Sequence, residues 1–178
     1  MNYNSLCPLC RKSDKLYQFQ WGSYRIIHCG ICELDYCPEM IEKEIGGNSS
    51  PVNMQGVDMM SDAFHRTNKI AKIFSMKRKK IYEGLLNNNI SKILEVGCGP
   101  GVFYKPWTDL NIQWTGIDIN PYWKEFGEKN KVPISNKSLD KINDQFDVVT
   151  AHQVIEHVED PLMFMKSIQR LLKPGGII

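Results

Sequence analysis

"KILEVGCGPGVF", residues 92–103, is the stretch that decides the fold. Ile93-Leu94-Glu95-Val96 is a short apolar run of the kind that forms a strand buried on both faces. It leads directly into Gly97-Cys98-Gly99-Pro100-Gly101, a glycine-rich turn that opens a helix. Such turns offer backbone N–H groups to a nucleotide-type ligand. The dinucleotide fingerprint G-x-G-x-x-G would need a third glycine at position 102, where this chain has Val102. That disfavours a nicotinamide-dependent oxidoreductase. Two carboxylates flank the turn instead. Glu95 stands near the tip of the first strand, and Asp118 ends the next apolar run, residues 114–117. Asp118 is placed to accept hydrogen bonds from both hydroxyls of a ribose. The pair of acids suits a ligand with a ribose and a cationic amino-acid end but no pyrophosphate.

Working outward, strands and helices alternate. The pattern predicts a helix after Gly101, a strand over 114–117, a helix from Pro121 and a weakly written strand over 132–134. "FDVVTA", residues 146–151, is a strong strand. A helix over 161–172 follows, capped by Asp160 with Pro161 at its first position. "KPGG" then breaks the chain, and Ile177-Ile178 begin another strand. This order predicts a parallel, doubly wound sheet with ligands at the carboxyl ends of its strands. Upstream, "SDAFHRTNKIAKIFSMKRKKIYEGLL" reads as a helix capped by Ser61 or Asp62 and ended by Asn87-Asn88-Asn89. Ile70, Ile73, Phe74, Ile81 and Leu85 share one of its faces. The basic run Lys77-Arg78-Lys79-Lys80 reads as a solvated face.

The N-terminal cysteines carry the second signal. "CPLC" and "CGIC" place Cys7, Cys10, Cys29 and Cys32 in two Cys-x-x-Cys pairs separated by eighteen residues. That fits the zinc spacing of roughly 15–20 residues between pairs. Each pair points two thiolates at one ion, and two pairs close a tetrahedral shell, so the zinc is structural. Cys37 is a spare thiol, and His28 adjoins Cys29 without being needed as a ligand. Between the pairs, Tyr17, Phe19 and Trp21 alternate, Gly22-Ser23 turns the chain, and Tyr24, Ile26 and His28 alternate. This is a β-hairpin, and a hairpin with a metal knuckle at each end is a zinc ribbon. The aromatics are expected to form its small core. The domain reading is a zinc ribbon over 1–40, a linker over 41–60 containing "GGNSSP", and an α/β domain over 61–178.

The chain has 178 residues, 42% hydrophobic and 24% charged, with a formal net charge of +2. Those values are ordinary for a soluble globular protein. The near-neutral charge argues against a nucleic-acid partner. No apolar run approaches the roughly 20 residues of a membrane span, and the N-terminus lacks signal-peptide character. The default reading is cytoplasmic, with no membrane partner.

"ILEVGCGPG", "GIDIN", "FDVVTAHQVIEHVEDP" and "LLKPGG" together resemble class I S-adenosylmethionine-dependent methyltransferases, in family order, from about Ser91 onward. The likeness is greatest to the group containing the ubiquinone-biosynthesis O-methyltransferases. The N-terminal part is similar to the zinc-ribbon leader of a bacterial subgroup, with Glu33 where that leader has glycine. Members of that subgroup often act in surface-glycan or other secondary biosynthesis.

The resemblance implies a Rossmann-like three-layer sandwich and a set of roles. Gly97, Cys98, Gly99 and Gly101 would wrap the cofactor's methionine and ribose. Glu95 would face its amino-acid end, directly or through water. Asp118 would bind the ribose, with Ile119 and Asn120 beside the adenine and Ser138-Leu139 closing over it. Ala151, His152 and Gln153 would line the pocket towards the acceptor. His157 and His152 are the candidate bases for an oxygen acceptor, with Glu156 orienting one of them.

Family members have a seven-stranded sheet, whereas this sequence stops after "GGII". The expectation is a fragment whose sheet ends at about the fourth or fifth strand and pairs with a second copy through that edge. The leading function is a methyltransferase acting on a small molecule, such as a saccharide or other biosynthetic intermediate. The alternatives are a zinc-ribbon module that binds nucleic acid or protein beside a non-catalytic α/β domain, and an rRNA methyltransferase.

Overall fold

A computed structural model describes residues 5–14, 16–39, 64, 68–158 and 160–178. The expected linker over 41–60 and the expected helix caps Ser61 and Asp62 lie outside the described residues. The chain divides into two compact units, Met1–Pro51 with Ile155–Lys166, and Val52–Val154 with Ser167–Ile178.

The first unit holds a three-stranded antiparallel sheet of β1 (Leu16–Trp21), β2 (Tyr24–Cys29) and β3 (Asp35–Tyr36), in that order. Trp21 pairs with Tyr24 across the Gly22-Ser23 turn, as the hairpin pattern predicts. The register sends Leu16, Ile27, Cys29 and Tyr36 to one side, where they join Cys7 in the core. The other side carries Tyr17, Phe19 and Trp21, which are 59%, 50% and 72% exposed. The expectation that these aromatics form the core is therefore wrong. A strand has period two, so its alternate residues share a face. The buried thiols Cys7 and Cys29 occupy one face, and that sends the aromatics to the opposite one.

The two knuckles repeat one backbone design. Arg11 N–H donates to Cys7 O and Glu33 N–H to Cys29 O, while Cys7 N–H reaches Lys12 O and Cys29 N–H reaches Leu34 O. The fifth residue of each knuckle, Arg11 or Glu33, is left-handed with φ of 60° or 59°. Glycine is the low-cost residue for that conformation. In the same unit Asp160 accepts the Met163 N–H at 3.0 Å, which caps α4 (Pro161–Leu171) as expected, and it pairs with Arg11.

The second unit is built on a five-stranded parallel sheet in the order β6-β5-β4-β7-β8. Its strands are β4 (Lys92–Val96), β5 (Gln113–Ile117), β6 (Ile134–Ser135), β7 (Phe146–Thr150) and β8 (Leu172–Ile177). Ile93, Leu94 and Val96 of β4 and Phe146, Val148 and Val149 of β7 are buried on both faces, as continuous apolar runs require. Helices α1 (Asn68–Leu86), α2 (Tyr104–Asp109) and α3 (Pro121–Asn130) complete the unit with part of α4. Asp147 ties the base of the sheet together. It accepts from Ser91 N and Oγ, Lys92 N and Lys173 Nζ at 2.6–2.9 Å. Burial pushes its carboxyl up, but Lys173 and the Ser91 and Lys92 donors outweigh burial and hold it at about 2.

Three readings need correction here. "KPGG" does not separate α4 from a later strand, because β8 runs through it. The ladder is irregular there, with Phe146 opposite Leu172 and Val148 opposite Ile177. The third strand is Ile134–Ser135 rather than 132–134, since Val132 follows Lys131, the left-handed cap of α3. Helix α1 buries Ala71 and Ser75 and half-buries Arg78, Tyr82 and Leu86, a face with spacing 4, 3, 4, 4. The Ile70, Ile73, Phe74, Ile81 and Leu85 stripe faces outward.

Candidate functional site

The carboxyl ends of β4 and β5 are joined by short contacts. Gly97 N–H and Cys98 N–H both donate to Ile117 O, at 2.9 and 3.1 Å. Gly97, Gly99 and Gly101 have φ of 67°, 51° and 70°, the left-handed region that an L side chain resists. A Cβ on Gly97 would also meet Val154 Cγ2 at 2.4 Å. Asp118 then locks the loop. Its Oδ2 accepts the Gly99 N–H at 2.9 Å, and its Oδ1 accepts the Asn120 N–H at 3.0 Å. Asn120 caps α3 through Tyr122 N, at 3.0 Å. Between them Ile119 is 88% exposed, an apolar side chain held in the open beside a carboxylate.

Glu95 has a partner that sequence reasoning missed. Its Oε2 accepts the Trp114 indole N–H at 2.7 Å, and the residue is buried. Gly116 makes this contact possible. A Cβ there would lie 2.0 Å from Trp114 Cη2, so the indole lies across the glycine and reaches Glu95, which sits opposite Gly116 on β4. Burial raises the Glu95 carboxyl from its ordinary value to about 7, against the opposing pull of the Trp114 bond and Arg78. Burial likewise pushes the Cys98 thiol up, helped by Glu95 and Asp118, so it is inert at neutral pH.

Arg78 is the second residue that sequence reasoning missed. It belongs to the basic run read as solvated, yet it is half-buried, with its guanidinium 4.6 Å from the centre of the Phe103 ring. Phe103 follows the glycine turn and caps α2. The Arg78 charge reaches Glu95 and His152. The usable signal was the small-residue face of α1, Ala71 and Ser75, which continues to Arg78 and Tyr82.

The described second unit brings together Glu95, Gly97, Cys98, Gly99, Gly101, Asp118, Ile119 and Asn120 around the first two strand ends. Ala151, His152 and Gln153 follow β7, beside β4. Partial burial, then Arg78, pushes the His152 imidazole below the usual histidine range, so it is neutral and able to accept a proton at neutral pH. Gln153 is left-handed, with φ of 55°. Ser138 and Leu139 open a 3-10 turn after β6. Glu156 and His157 lie on another such turn, Ile155–His157, in the first unit.

In the first unit, the sulfurs of Cys7, Cys10, Cys29 and Cys32 lie within 4.8 Å of one another. The Cys7–Cys32 and Cys10–Cys29 separations are 3.5 and 3.6 Å. A tetrahedral zinc with Zn–S of about 2.3 Å needs about 3.8 Å between sulfurs, so the donors fit. His28 bonds Asp35 at 2.7 Å, and Cys37 donates to Glu39.

Residues 94–178 match a family described as "Methyltransferase domain". Over that stretch, 85 of the 178 residues, the chain is similar to methyltransferase domains. Among curated relatives, a ubiquinone biosynthesis O-methyltransferase of Cereibacter sphaeroides is 26% identical over 168 residues, covering 88% of this chain and 54% of the relative. One from Ruegeria pomeroyi is 33% identical over 95 residues, covering 48% of this chain and 38% of the relative. The chain thus spans about half or less of the length of these relatives. The plantazolicin methyltransferase BpumL, solved with a monoazolic desmethylPZN analog and SAH, superposes with a TM-score of 0.60 at 17% identity. The match covers 76% of this chain and 56% of that one. An S-adenosylmethionine-dependent methyltransferase from Clostridium acetobutylicum gives a TM-score of 0.52 at 17% identity, covering 69% of this chain and 55% of that one. At such identities the superpositions show a shared Rossmann-like fold.

Proposed function

We propose that the protein is an S-adenosylmethionine-dependent methyltransferase acting on a small molecule, such as a saccharide or another biosynthetic intermediate. A structural zinc on Cys7, Cys10, Cys29 and Cys32 would staple its first unit. The observation that carries this reading is the lock between Gly99 and Asp118. It holds a glycine loop without dinucleotide spacing against a carboxylate at the next strand tip. The donor set fits the cofactor: backbone N–H groups, a carboxylate for a diol, an exposed apolar side chain for a purine, and a cation for a carboxylate.

Gly97, Cys98, Gly99 and Gly101 would follow the methionine and ribose. Asp118 would exchange a loop contact for the ribose hydroxyls, with Ile119, Asn120, Ser138 and Leu139 around the adenine. Arg78, held by Phe103, is the group suited to the amino-acid carboxylate. Glu95 acts on the ammonium end with its Trp114 bond in place. When bound, the cofactor supplies a methyl group already activated by a sulfonium. The protein's own work is to align the acceptor and to take its proton. His152, held neutral at the end of β7, is a base for that step, and His157, oriented by Glu156, is the other candidate.

The test is calorimetry with S-adenosylhomocysteine. Micromolar binding that Asp118→Ala abolishes supports the reading, and no binding to the intact chain overturns it. A second reading is favoured by the exposed aromatic face of β1, which suits a binding module. Salt-dependent RNA binding that Trp21→Ser removes would support it. Pairing through the β8 edge is a further expectation, and a monomer by light scattering at high concentration counts against it.

A further inference from the structure

The outward stripe of α1 is the largest feature that this function leaves unused. Ile70, Phe74, Ile81 and Leu85 are 57%, 50%, 58% and 65% exposed, and Ile73 beside them is 47% exposed. At 100° per residue these four fall within about 60° of arc, repeated on almost every turn over roughly 22 Å. The same helix is strongly basic. Lys69, Lys72, Lys77 and Lys80 are exposed, and none of them has an ion pair among the described residues. The other two cations of the run are occupied, Arg78 on Phe103 and Lys79 with Glu83. On the 100° wheel Lys77 adjoins the stripe, Lys80 and Lys69 lie about 80° and 100° from its edge on the same side, and Lys72 falls on the opposite side of the helix. Lys69 and Lys72 also line a shallow groove with Lys105, Pro106 and Asp109, of about 350 Å³.

We infer that α1 is a membrane-surface helix, lying in the headgroup region of an anionic bilayer with Phe74, Ile70 and Ile81 inserted. Three observations select that occupant. The stripe is a convex ridge along a single helix, and a bilayer accepts a ridge. The exposed charges on this helix with no ion pair among the described residues are all positive, which repels a second copy of the same helix and attracts acidic lipid. Lysine stems beside an apolar stripe let their ammonium groups rise to the phosphates while the stripe sinks. No described helix is long and apolar enough to cross a membrane, so the contact is peripheral. It revises the expectation of no membrane partner, and it does so because the stripe faces outward.

The experiment is co-sedimentation of the whole chain with vesicles of phosphatidylcholine alone, or of phosphatidylcholine mixed with phosphatidylglycerol, at low and high salt. The inference expects binding at least about tenfold stronger to the anionic vesicles, weakened by salt. Phe74→Asp and Ile81→Asp, both at exposed positions, should each reduce it about tenfold without lowering the thermal midpoint. The charge variant Lys77→Glu with Lys80→Glu should abolish the preference for phosphatidylglycerol. Trp21→Ser, on the other exposed aromatic face, should leave binding unchanged. Three outcomes overturn the inference: no sedimentation with either vesicle, sedimentation indifferent to Phe74→Asp and the lysine pair, or dimerisation that Phe74→Asp removes in the absence of lipid. Because none of these residues touches the glycine loop, S-adenosylhomocysteine binding stays intact in every variant. Failure here is thus separable from failure of the methyltransferase reading.

Discussion

The two units place their apolar residues by different rules. In the α/β unit, apolar runs at residues 93–96 and 146–149 are buried on both faces, and Trp107, Ile112 and Trp114 pack around them. In the first unit, the most aromatic strand, β1, keeps Tyr17, Phe19 and Trp21 outside, and the core is Cys7, Ile27, Cys29 and Tyr36. A unit this small cannot gather enough apolar area to order itself, and metal ligation commonly takes that role. A zinc on the four thiolates, as proposed above, would release the aromatic residues from core duty.

The sharpest way to break this comparison is to test the zinc proposed on the four cysteines. Chelation, or Cys29→Ser, should unfold the first unit at a cost on the order of 10 kcal/mol. Hydrogen exchange should show the protection of β4 and β7 retained. Equal loss in both units would dissolve the distinction. Next in size, Trp107→Ala in the α/β core should cost about 3–5 kcal/mol in denaturant unfolding, since Trp107 is 2% exposed and stacks on Tyr82.

Glu95 offers a pH test of the α/β unit. Its folded-state carboxyl titrates at about 7 rather than near its ordinary value of 4.5. A raised acid is neutral in both states at low pH. Its penalty on the folded state therefore develops as pH rises from about 4.5 to 7, then stays constant. Glu95→Gln should remove that slope and stabilise the protein by roughly 3 kcal/mol above pH 7. Urea unfolding at acid and alkaline pH reads this directly, and an unchanged slope would show that Glu95 is not the group responsible.

Smaller effects return to the first unit. Glu33→Gly relieves a left-handed backbone in the second knuckle and should raise stability by about 1 kcal/mol, visible in the thermal midpoint. Trp21→Ser should change stability by less than about 0.5 kcal/mol, because that side chain is 72% exposed. A large loss at Trp21 would restore the aromatic core that the sequence suggested.

Much of the candidate site was legible beforehand because it is written locally. The strand, glycine turn and helix lie within residues 92–103, and Asp118 ends the next strand. The cysteine quartet needed only spacing. Trp114 and Arg78 were not legible, because their roles depend on neighbours distant in sequence: Glu95 on the adjacent strand, and Phe103 at the cap of another helix. Trp114 also needed Gly116 to make room, a relation invisible to strand periodicity.

What the sequence determined by itself is which residues share a face and where the chain turns. Periods of two and 3.6 follow from backbone geometry, so the grouping of Tyr17, Phe19 and Trp21, and of Ile70, Phe74, Ile81 and Leu85, holds in the structure. Only the tertiary structure decided which of two faces points inward. That choice depends on what the rest of the chain presents: thiols with fixed spacing behind β1, and, where α1 packs on α2 and β8, buried Ala71 and Ser75 and an arginine lying on Phe103.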